Sequence, residues 1–275
     1  MAENKIWFIT GTSRGFGRAW TRAALERGDR VAATARDTTS LADLVDEFGD
    51  AILPIALDVT DRDADIAAVQ QAHAHFGRLD VVVNNAGYGH FGMIEELSEQ
   101  DVRDQLETNV FGALWITQAA VPLLRAQGGG HIVQVSSIGG VLAFAGLGAY
   151  HASKWALEGF TEALAAEVAP FGIRTTLIEP AGFATDWAGD SSKHSTALPE
   201  YQEVRDARNA VRAGAARPTA EDTVEALFAA VDAAEPPTRL LLSSAAVDLV
   251  LPAYERRVQH WKDWDEVSRT ADAKA

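Results

Sequence analysis

The chain has 275 residues, of which 47% are hydrophobic, and a formal net charge of −15. This length suits one large α/β domain or two small ones, and the apolar content is sufficient for a complete core. The negative charge argues against a nucleic acid or an anionic membrane as a partner. The sequence contains no cysteine, which excludes disulfides, thiolate catalysis and zinc sites built on sulfur.

No apolar run approaches the roughly 18 uninterrupted residues of a membrane-spanning helix. The N-terminal residues, MAENKIWFIT, lead directly into a predicted strand and leave no room for a signal peptide. We therefore expect a soluble, cytoplasmic protein that makes no contact with a membrane.

Short apolar runs alternate with helical patterns along the chain. Strands are predicted at residues 5–10, 30–35, 52–56, 81–84, 131–136, 174–179 and 239–242. Helices are predicted at residues 15–27, 41–48, 61–76, 101–124, 150–168 and 219–233. Because most strands are apolar throughout and alternate with helices, the sequence predicts a Rossmann-like α/β fold. Its doubly wound parallel sheet has about seven strands with helices on both faces, in a single domain over residues 1–275. Asp61 and Ser98 occupy positions typical of helix N-caps.

Two segments depart from this alternation. A polar stretch within residues 186–215 follows the sixth strand, where ligands of such sheets bind, and it is predicted to be a substrate lid. Residues 248–275 are predicted to form a C-terminal helical tail, in which Tyr254, Val258 and Trp261 recur at helical spacing. We expect the tail to pack on its own core or on a sister subunit.

A glycine-rich turn, TGTSRGFG, covers residues 10–17 between the first predicted strand and the first predicted helix. Gly11 allows a tight turn, while Gly15 and Gly17 let backbone and helix approach a pyrophosphate held at the helix N-terminus. A glycine turn alone is a weak signal, but its place between a first strand and a first helix indicates dinucleotide binding.

The end of the second predicted strand bears on the choice of coenzyme. Enzymes that prefer NAD usually carry an acidic residue there, but this chain has Ala35 followed by Arg36. An arginine at this place accommodates the 2′-phosphate of NADP. Arg14, in the glycine turn, could reach the same phosphate, whereas Asp37 lies one residue further on. We expect a preference for NADP(H), with NAD(H) possible; the alternative is that both arginines only form surface salt bridges.

Tyr150 and Lys154 are four residues apart and share one face of a predicted helix. A free phenol titrates near ~10, and useful acid–base catalysis needs a pKa nearer ~7. One ammonium about 4 Å away, at an effective dielectric constant of about 20, supplies the roughly 4 kcal/mol that this shift requires. Alone, such a pair is more often an ordinary surface contact, but a serine, an asparagine and a glycine turn in the same chain favour a reaction centre.

Four motifs occur in order: TGTSRGFG at residues 10–17, NNAG at 84–87, SS at 136–137 and YHASK at 150–154. Over roughly residues 5–245 the chain therefore resembles the short-chain dehydrogenase/reductase family, in the branch with the TGxxxGxG turn and the YxxxK motif. The resemblance implies that Tyr150 is the catalytic acid and base, assisted by Lys154. It also implies that Ser137 binds the substrate carbonyl and that Asn109 relays protons. Ser137 is preferred to Ser136 because it precedes Tyr150 by 13 residues, the interval usual in the family.

The resemblance further implies that Asp58 and Val59 contact the adenine. Phe183 and Thr185 match positions that hold the nicotinamide carboxamide, although Ala181 interrupts the family's Pro-Gly pair. The predicted cofactor-binding residues are Gly11, Ser13, Arg14, Gly15, Phe16, Gly17, Arg36, Asp58, Val59, Asn84, Ala86, Gly87, Tyr150, Lys154, Pro180, Phe183 and Thr185.

Metal-dependent and hydrolytic alternatives find little support in the histidines. His73 and His75 lie on different sides of a predicted helix, and His151 should point away from Tyr150. Ser137 does not lie in the G-x-S-x-G turn of a hydrolase. We expect no metal site.

The predicted function is NADP(H)-dependent interconversion of a carbonyl and an alcohol. The residues near the strand ends that should form the substrate pocket are Tyr88, Phe91, Leu142, Phe144 and Trp187. They favour an apolar or aromatic ketone or aldehyde as the small-molecule substrate. The alternatives are a regulator that binds the dinucleotide without turnover and a sugar-nucleotide epimerase or dehydratase. Three catalytic residues in one chain count against the first, and chain length and glycine spacing count against the second.

The predicted helix that bears Tyr150 also carries a stripe of small residues, Ala152, Ala156, Gly159 and Ala163. Small side chains at this spacing allow another helix to approach, or they fit the helix to its own sheet. Because the family pairs subunits through this helix, we expect a homodimer or a homotetramer.

Overall fold

In the computed structural model the described residues are 4–185, 187, 189, 191–212 and 217–272. The strands are β1 (Ile6–Ile9), β2 (Arg30–Ala35), β3 (Ile52–Ala56), β4 (Val81–Asn84), β5 (His90–Phe91), β6 (Gly130–Val135), β7 (Ile173–Pro180), β8 (Lys193–His194) and β9 (Arg239–Leu242). The α-helices are α1 (Gly15–Glu26), α2 (Ala42–Phe48), α3 (Arg62–Phe76), α4 (Glu99–Leu106), α5 (Ala113–Ala126), α6 (Gly148–Val168), α7 (Gln202–Arg212), α8 (Val224–Asp232), α9 (Ser244–Asp263) and α10 (Asp265–Arg269).

The main sheet has seven strands in the order β3-β2-β1-β4-β6-β7-β9. All of its neighbouring strands run parallel. The predicted doubly wound sheet of about seven strands is therefore confirmed. The strand order changes direction between β1 and β4, and the carboxyl ends of the strands diverge there to leave a crevice for a ligand.

Both faces of the sheet are covered, which explains why its strands are apolar throughout. Strand β1 sends Trp7 and Ile9 into one buried layer, which also includes residues of α1, α2 and α8. Its other two side chains, Ile6 and Phe8, enter the opposite layer with residues of α3, α5 and α6. Alternate side chains thus meet two separate hydrophobic cores.

The two predicted N-caps are confirmed. The Asp61 carboxylate accepts hydrogen bonds from the N–H groups of Asp63 and Ala64 at the start of α3. Ser98 and Asp101 form a reciprocal capping box at the start of α4. Because the capping side chain ends the preceding loop at Ser98, the helix begins at Glu99, two residues before the predicted start at 101.

The helix predicted at residues 101–124 contains an irregular segment. Residues Glu107–Gly112 form a π-helical turn between α4 and α5. At its end, Gly112 packs so closely on the loop after β3 that an added Cβ would lie 2.6 Å from the Val59 carbonyl oxygen. π-Turns inside helices frequently occur at functional sites, and this turn contains Asn109.

The segment predicted as a lid contains β8, which pairs in parallel with β5, and α7. Residues 186, 188, 190 and 213–215 of this prediction lie outside the described residues. The predicted tail corresponds to α9 and α10, and helix α9 begins at Ser244. Residues 273–275 lie outside the described residues.

No helix in the described part of the chain is both long enough and apolar enough to cross a membrane.

Candidate active site

A cleft of about 1610 Å³ opens at the carboxyl ends of the parallel strands. The predicted site residues that line it are Gly11, Ser13, Arg14, Gly15, Phe16, Arg36, Asp58, Val59, Ala86, Gly87, Ser137, Tyr150, Lys154, Pro180, Phe183 and Thr185. The structure thus brings together residues that are spread over most of the chain, at the point where the strand order reverses.

The glycine turn fits closely against the loop after β4. Gly11 has a φ of +70°, a conformation that favours glycine. A Cβ on Gly17 would lie 2.3 Å from the Gly11 carbonyl oxygen, so this position has no room for a side chain. The Asn85 amide donates hydrogen bonds to the carbonyl oxygens of Thr10 and Gly11 and holds the turn in place. At the N-cap of α1, Arg14 makes no side-chain capping bond. A backbone cradle of this kind at a helix N-terminus suits a pyrophosphate.

The end of β2 presents an arginine to the cleft. Arg36 is exposed there, and Ala35 precedes it. The Asp37 carboxylate accepts hydrogen bonds from the backbone and the hydroxyl of Thr39, and these bonds hold its pKa below its ordinary value. Asp37 is therefore already used in capping a turn. Arg217 also lines the cleft, 3.9 Å from the position of an added Cβ on Gly182, and the sequence patterns did not identify it.

Ser137 and Tyr150 face each other at the inner end of the cleft. The Ser137 side chain lowers the pKa of the neighbouring Tyr150 hydroxyl. Its own hydroxyl donates to the Pro180 carbonyl oxygen at 3.4 Å. The Gly139 N–H donates to Ser137 Oγ at 3.0 Å and orients the serine. Ser136 lies instead beside Glu158 and lowers the pKa of its carboxyl. Of the two adjacent serines, Ser137 is the one that meets the phenol.

Lys154 lies one helical turn after Tyr150 on α6 and is also buried. Its Nζ donates to the Val135 carbonyl oxygen at 2.8 Å and lies 5.9 Å from the centre of the Tyr150 ring. Burial lowers the pKa of Lys154 to about 8, and the Glu158 carboxylate, which attracts the ammonium, partly opposes this change. The side chain is still mainly an ammonium at neutral pH.

The expected lowering of the phenol pKa is wrong for this arrangement. Burial raises the pKa of Tyr150 to about 12, and the neighbouring Ser137 side chain opposes this change only in part. The reason is that removing a phenolate from water costs more than its neighbours recover. Tyr150 is therefore protonated at neutral pH, which suits donation of a proton.

Asn109 lies behind the cleft and fixes one of its walls. Its Nδ2 donates to the carbonyl oxygen of Tyr88 and to Ser153 Oγ, each at 3.0 Å. Its Oδ1 accepts from the Tyr88 N–H at 3.1 Å. A Cβ on Gly87 would lie 3.0 Å from Asn109 Oδ1 and 3.7 Å from Lys154 Nζ, so both groups flank Gly87.

Asn84 and Gly17 also lie outside the lining of the cleft. The Asn84 amide donates to Thr117 Oγ1 at 3.0 Å and so faces helix α5. Asn85, the next residue, lines the cleft instead. Gly17 is buried beneath the turn, where its contribution is close packing.

The aromatic wall of the cleft differs in part from the predicted pocket. Tyr88, Phe144 and Trp187 line the cleft, and the Trp187 ring is 4.8 Å from the Tyr150 ring. Phe91 packs behind Trp187, with 5.4 Å between the ring centres. Leu142 instead joins a separate hydrophobic cluster with residues of α9.

His151 lines the cleft, in contrast to its predicted orientation. Its ring centre lies 5.9 Å from that of Tyr150, and its Nδ1 accepts a hydrogen bond from the Phe144 N–H at 3.2 Å. This bond holds the imidazole against the loop before α6. Burial lowers its pKa to about 4, so His151 is neutral at physiological pH. Within the described residues, no group of three or more acidic or histidine side chains is arranged to hold a metal ion.

Comparison with known proteins agrees with this architecture. The family model described as short chain dehydrogenase matches residues 5–196. Oxidoreductase BOA17 from Botryotinia fuckeliana is 42% identical over 268 residues, which cover 96% of this chain and 98% of that protein. A short-chain dehydrogenase structure from Streptomyces avermitilis has a TM-score of 0.93 at 39% identity, covering 99% of this chain and 100% of that one.

Two more distant structures contain a dinucleotide. An alcohol dehydrogenase from Thermococcus sibiricus, complexed with 5-hydroxy-NADP, has a TM-score of 0.74 at 26% identity over 89% of this chain and 98% of its own. A short chain dehydrogenase/reductase from Burkholderia phymatum, in complex with NAD, has a TM-score of 0.77 at 25% identity and covers 99% of this chain and 98% of its own. The chain belongs to the short-chain dehydrogenase/reductase family of oxidoreductases.

We predict that Glu158→Gln will lower the pKa of Lys154 further below its value of about 8. The reason is that the Glu158 carboxylate is the group that favours the ammonium against burial. The chain has only five lysines, so ¹³C-labelled lysine should give resolved NMR signals for a pH titration. Glu162→Gln is the matched control, because Glu162 also pairs with Arg239. An unchanged or raised Lys154 pKa in Glu158→Gln would contradict the assignment.

Proposed function

We propose that the protein is an NADP(H)-dependent oxidoreductase that interconverts a carbonyl and an alcohol, with Tyr150 as its acid and base. The observation that carries the proposal is the meeting of Ser137, Tyr150 and Lys154 at the inner end of a cleft that begins at a glycine cradle. A protein that only sensed the dinucleotide would not need these three groups together.

The residues of the cleft fit a dinucleotide. The cradle at Gly11 and Gly15 leaves backbone, rather than side chains, facing the cleft. Asp58 and Val59 would border the adenine, and Phe183 and Thr185 would border the nicotinamide end. When bound, the coenzyme supplies the hydride, and the protein supplies position and a proton.

The protonation states favour carbonyl reduction. Tyr150 carries its proton at neutral pH and can donate it to the substrate oxygen as negative charge develops there. Ser137 can donate a second hydrogen bond to the same oxygen. Lys154, buried beside the ring, keeps its positive charge until the pH rises through about 8, and this charge stabilises the phenolate that remains after proton transfer.

The walls of the inner cleft support an apolar or aromatic ketone or aldehyde as substrate. Tyr88, Phe144 and Trp187 provide flat apolar surfaces close to Tyr150. Aromatic side chains of this kind bury a ring or an alkyl group, while the few polar groups orient it.

Preference for NADP(H) is supported by the charges at the end of β2. Arg36 and Arg14 line the cleft, and the acidic side chain next to Arg36 in sequence, Asp37, is engaged with Thr39. Two guanidinium groups suit a 2′-phosphate, whereas a free carboxylate would suit the ribose hydroxyl of NAD.

A homodimer or homotetramer is supported by the outward face of α6. Ala152, Gly159 and Ala163 are exposed, and a Cβ on Gly159 would meet no atom within 4 Å. The small residues therefore do not fit α6 to its own sheet. Trp155 and Phe160 flank them with 42% and 47% of their surface exposed, so the face is apolar and open to a second copy.

Replacement of Tyr150 by Phe should lower kcat for NADPH-dependent carbonyl reduction by about a hundredfold to ten-thousandfold, because the proton donor is lost. The Kd for NADPH should change little. The assay is NADPH consumption with a panel of ketones and aldehydes, and coenzyme binding is followed by NADPH fluorescence. Tyr254→Phe makes the same chemical change on α9 and serves as the control. Retained turnover in Tyr150→Phe would refute the assignment, and a wild-type protein that binds NADPH without any turnover would favour a sensor.

Replacement of Arg36 by Asp should reduce the ratio of kcat/KM with NADPH to kcat/KM with NADH by about tenfold to a hundredfold. A charge-assisted hydrogen bond to the phosphate is worth about 1.5–3 kcal/mol, and the new carboxylate also repels it. Arg103→Asp, an equal change of charge on the exposed face of α4, should leave the ratio unaltered. The idea fails if Arg36→Asp leaves it unaltered as well.

Gly159→Arg should convert the oligomer to monomers, because a long charged side chain would occupy the centre of the α6 face. Light scattering after size exclusion measures the mass in solution. Ala42→Arg adds the same side chain at an exposed position on α2, on the other side of the sheet, and should leave the mass as in wild type. A wild-type monomer, or a Gly159→Arg variant of unchanged mass, would exclude this interface.

A further inference from the structure

Arg208, on helix α7, lines the cleft without a charged partner. Its Nε is buried and makes no hydrogen bond. Across the part of the chain that the structure describes, no carboxylate lies within ion-pairing distance of its guanidinium. Its recorded contact is with the face of Phe91, 5.6 Å from the guanidinium carbon to the ring centre. A partly buried cation that makes no ion pair with any described residue is costly to the fold.

The neighbouring cations are paired, which sets Arg208 apart. Arg205, three residues earlier on α7, binds the buried Glu96 carboxylate at 2.6 Å. Lys193, on β8, binds Asp104 at 3.0 Å. The chain has 39 acidic residues against 24 basic ones, so carboxylates are abundant. None of them has been placed beside Arg208 in the described residues, although this would have stabilised the fold.

The guanidinium lies close to the proposed reaction centre. Arg208 Nη1 sits against the backbone of Gly146, where an added Cβ would be 2.5 Å away. Gly146 lies four residues before Tyr150, in the turn that leads into α6. The rings of Phe91 and Trp187 lie between Arg208 and Tyr150. The Phe91 and Trp187 ring centres are 5.4 Å apart, and the Trp187 ring centre is 4.8 Å from that of Tyr150. Arg208 and Tyr150 line the same cleft, so one substrate molecule can extend between them.

We infer that Arg208 binds a carboxylate of the substrate, so that the protein acts on an aromatic or apolar aldehyde or ketone that also carries a carboxylate. This inference rests on the proposed function and specifies its substrate class. A guanidinium offers two parallel N–H groups that match the two oxygens of a carboxylate. A phosphate dianion fits less well, because Lys193, a second cation of the inner cleft, is already neutralised by Asp104.

The electrostatics of the site agree with an anionic ligand. Burial lowers the pKa of Arg208, and the charge of Arg205 lowers it further. An incoming carboxylate would replace the lost hydration and offset the repulsion between the two arginines.

The first test measures binding and does not depend on turnover. Titration calorimetry compares benzoate with benzamide, its neutral analogue, against the protein with saturating NADP⁺. Benzoate should bind at least about tenfold more tightly to wild type, and this preference should vanish in Arg208→Met. Arg256→Met, which removes an exposed arginine on α9, should keep it. Equal affinity of wild type for the two compounds would overturn the inference.

The second test measures selectivity in turnover. NADPH consumption is followed with 3- and 4-carboxybenzaldehyde and with their methyl esters. The ratio of kcat/KM for the carboxybenzaldehyde that wild type reduces faster to kcat/KM for its methyl ester should fall by about tenfold to a hundredfold in Arg208→Met. Arg208→Lys should restore part of this ratio. Thermal melting and NADPH binding check that each variant folds. If wild type reduces neither acid nor ester, the proposed function fails. If it reduces both and Arg208→Met leaves the ratio unchanged, only the role of Arg208 fails.

Discussion

The burial of Tyr150 and Lys154 on one helix is the constraint on which the proposed chemistry depends. Removal from water disfavours both charged forms: it raises the pKa of the phenol to about 12 and lowers that of the amine to about 8. The pair is therefore set as a neutral acid beside a cation at physiological pH. Reduction requires this state, because the phenol gives up a proton and the resulting phenolate remains next to the ammonium.

Much of this arrangement follows from the sequence. The strands of the sheet are predictable because parallel strands are covered on both faces and are apolar throughout, as Phe8 and Ile9 illustrate in opposite layers. The glycine turn is predictable because Gly17 has no room for a side chain. Tyr150 and Lys154 share a helix face by spacing alone. These features depend on local periodicity, which the sequence displays directly.

Other features depend on contacts between distant residues, which spacing does not reveal. Asn84 is the last residue of β4 and faces α5. Because successive side chains point to opposite sides, Asn85 rather than Asn84 lines the cleft. Arg208 acquires its significance only when α7 lies against Phe91. The pKa of Tyr150 is not predictable from one neighbouring charge, because it depends on desolvation, and the extent of burial is a property of the folded chain.

The π-helical turn at Glu107–Gly112 contacts two separate loops of the cleft, one at Val59 and one at Tyr88. At one end of the turn, Gly112 rests on the carbonyl of Val59; three residues earlier, Asn109 clamps both backbone groups of Tyr88. One short helical segment therefore contacts both loops. Engineers who change the surroundings of Val59, which we propose borders the adenine, would therefore have to preserve this segment's backbone path to keep Tyr88, in the proposed substrate pocket, in place.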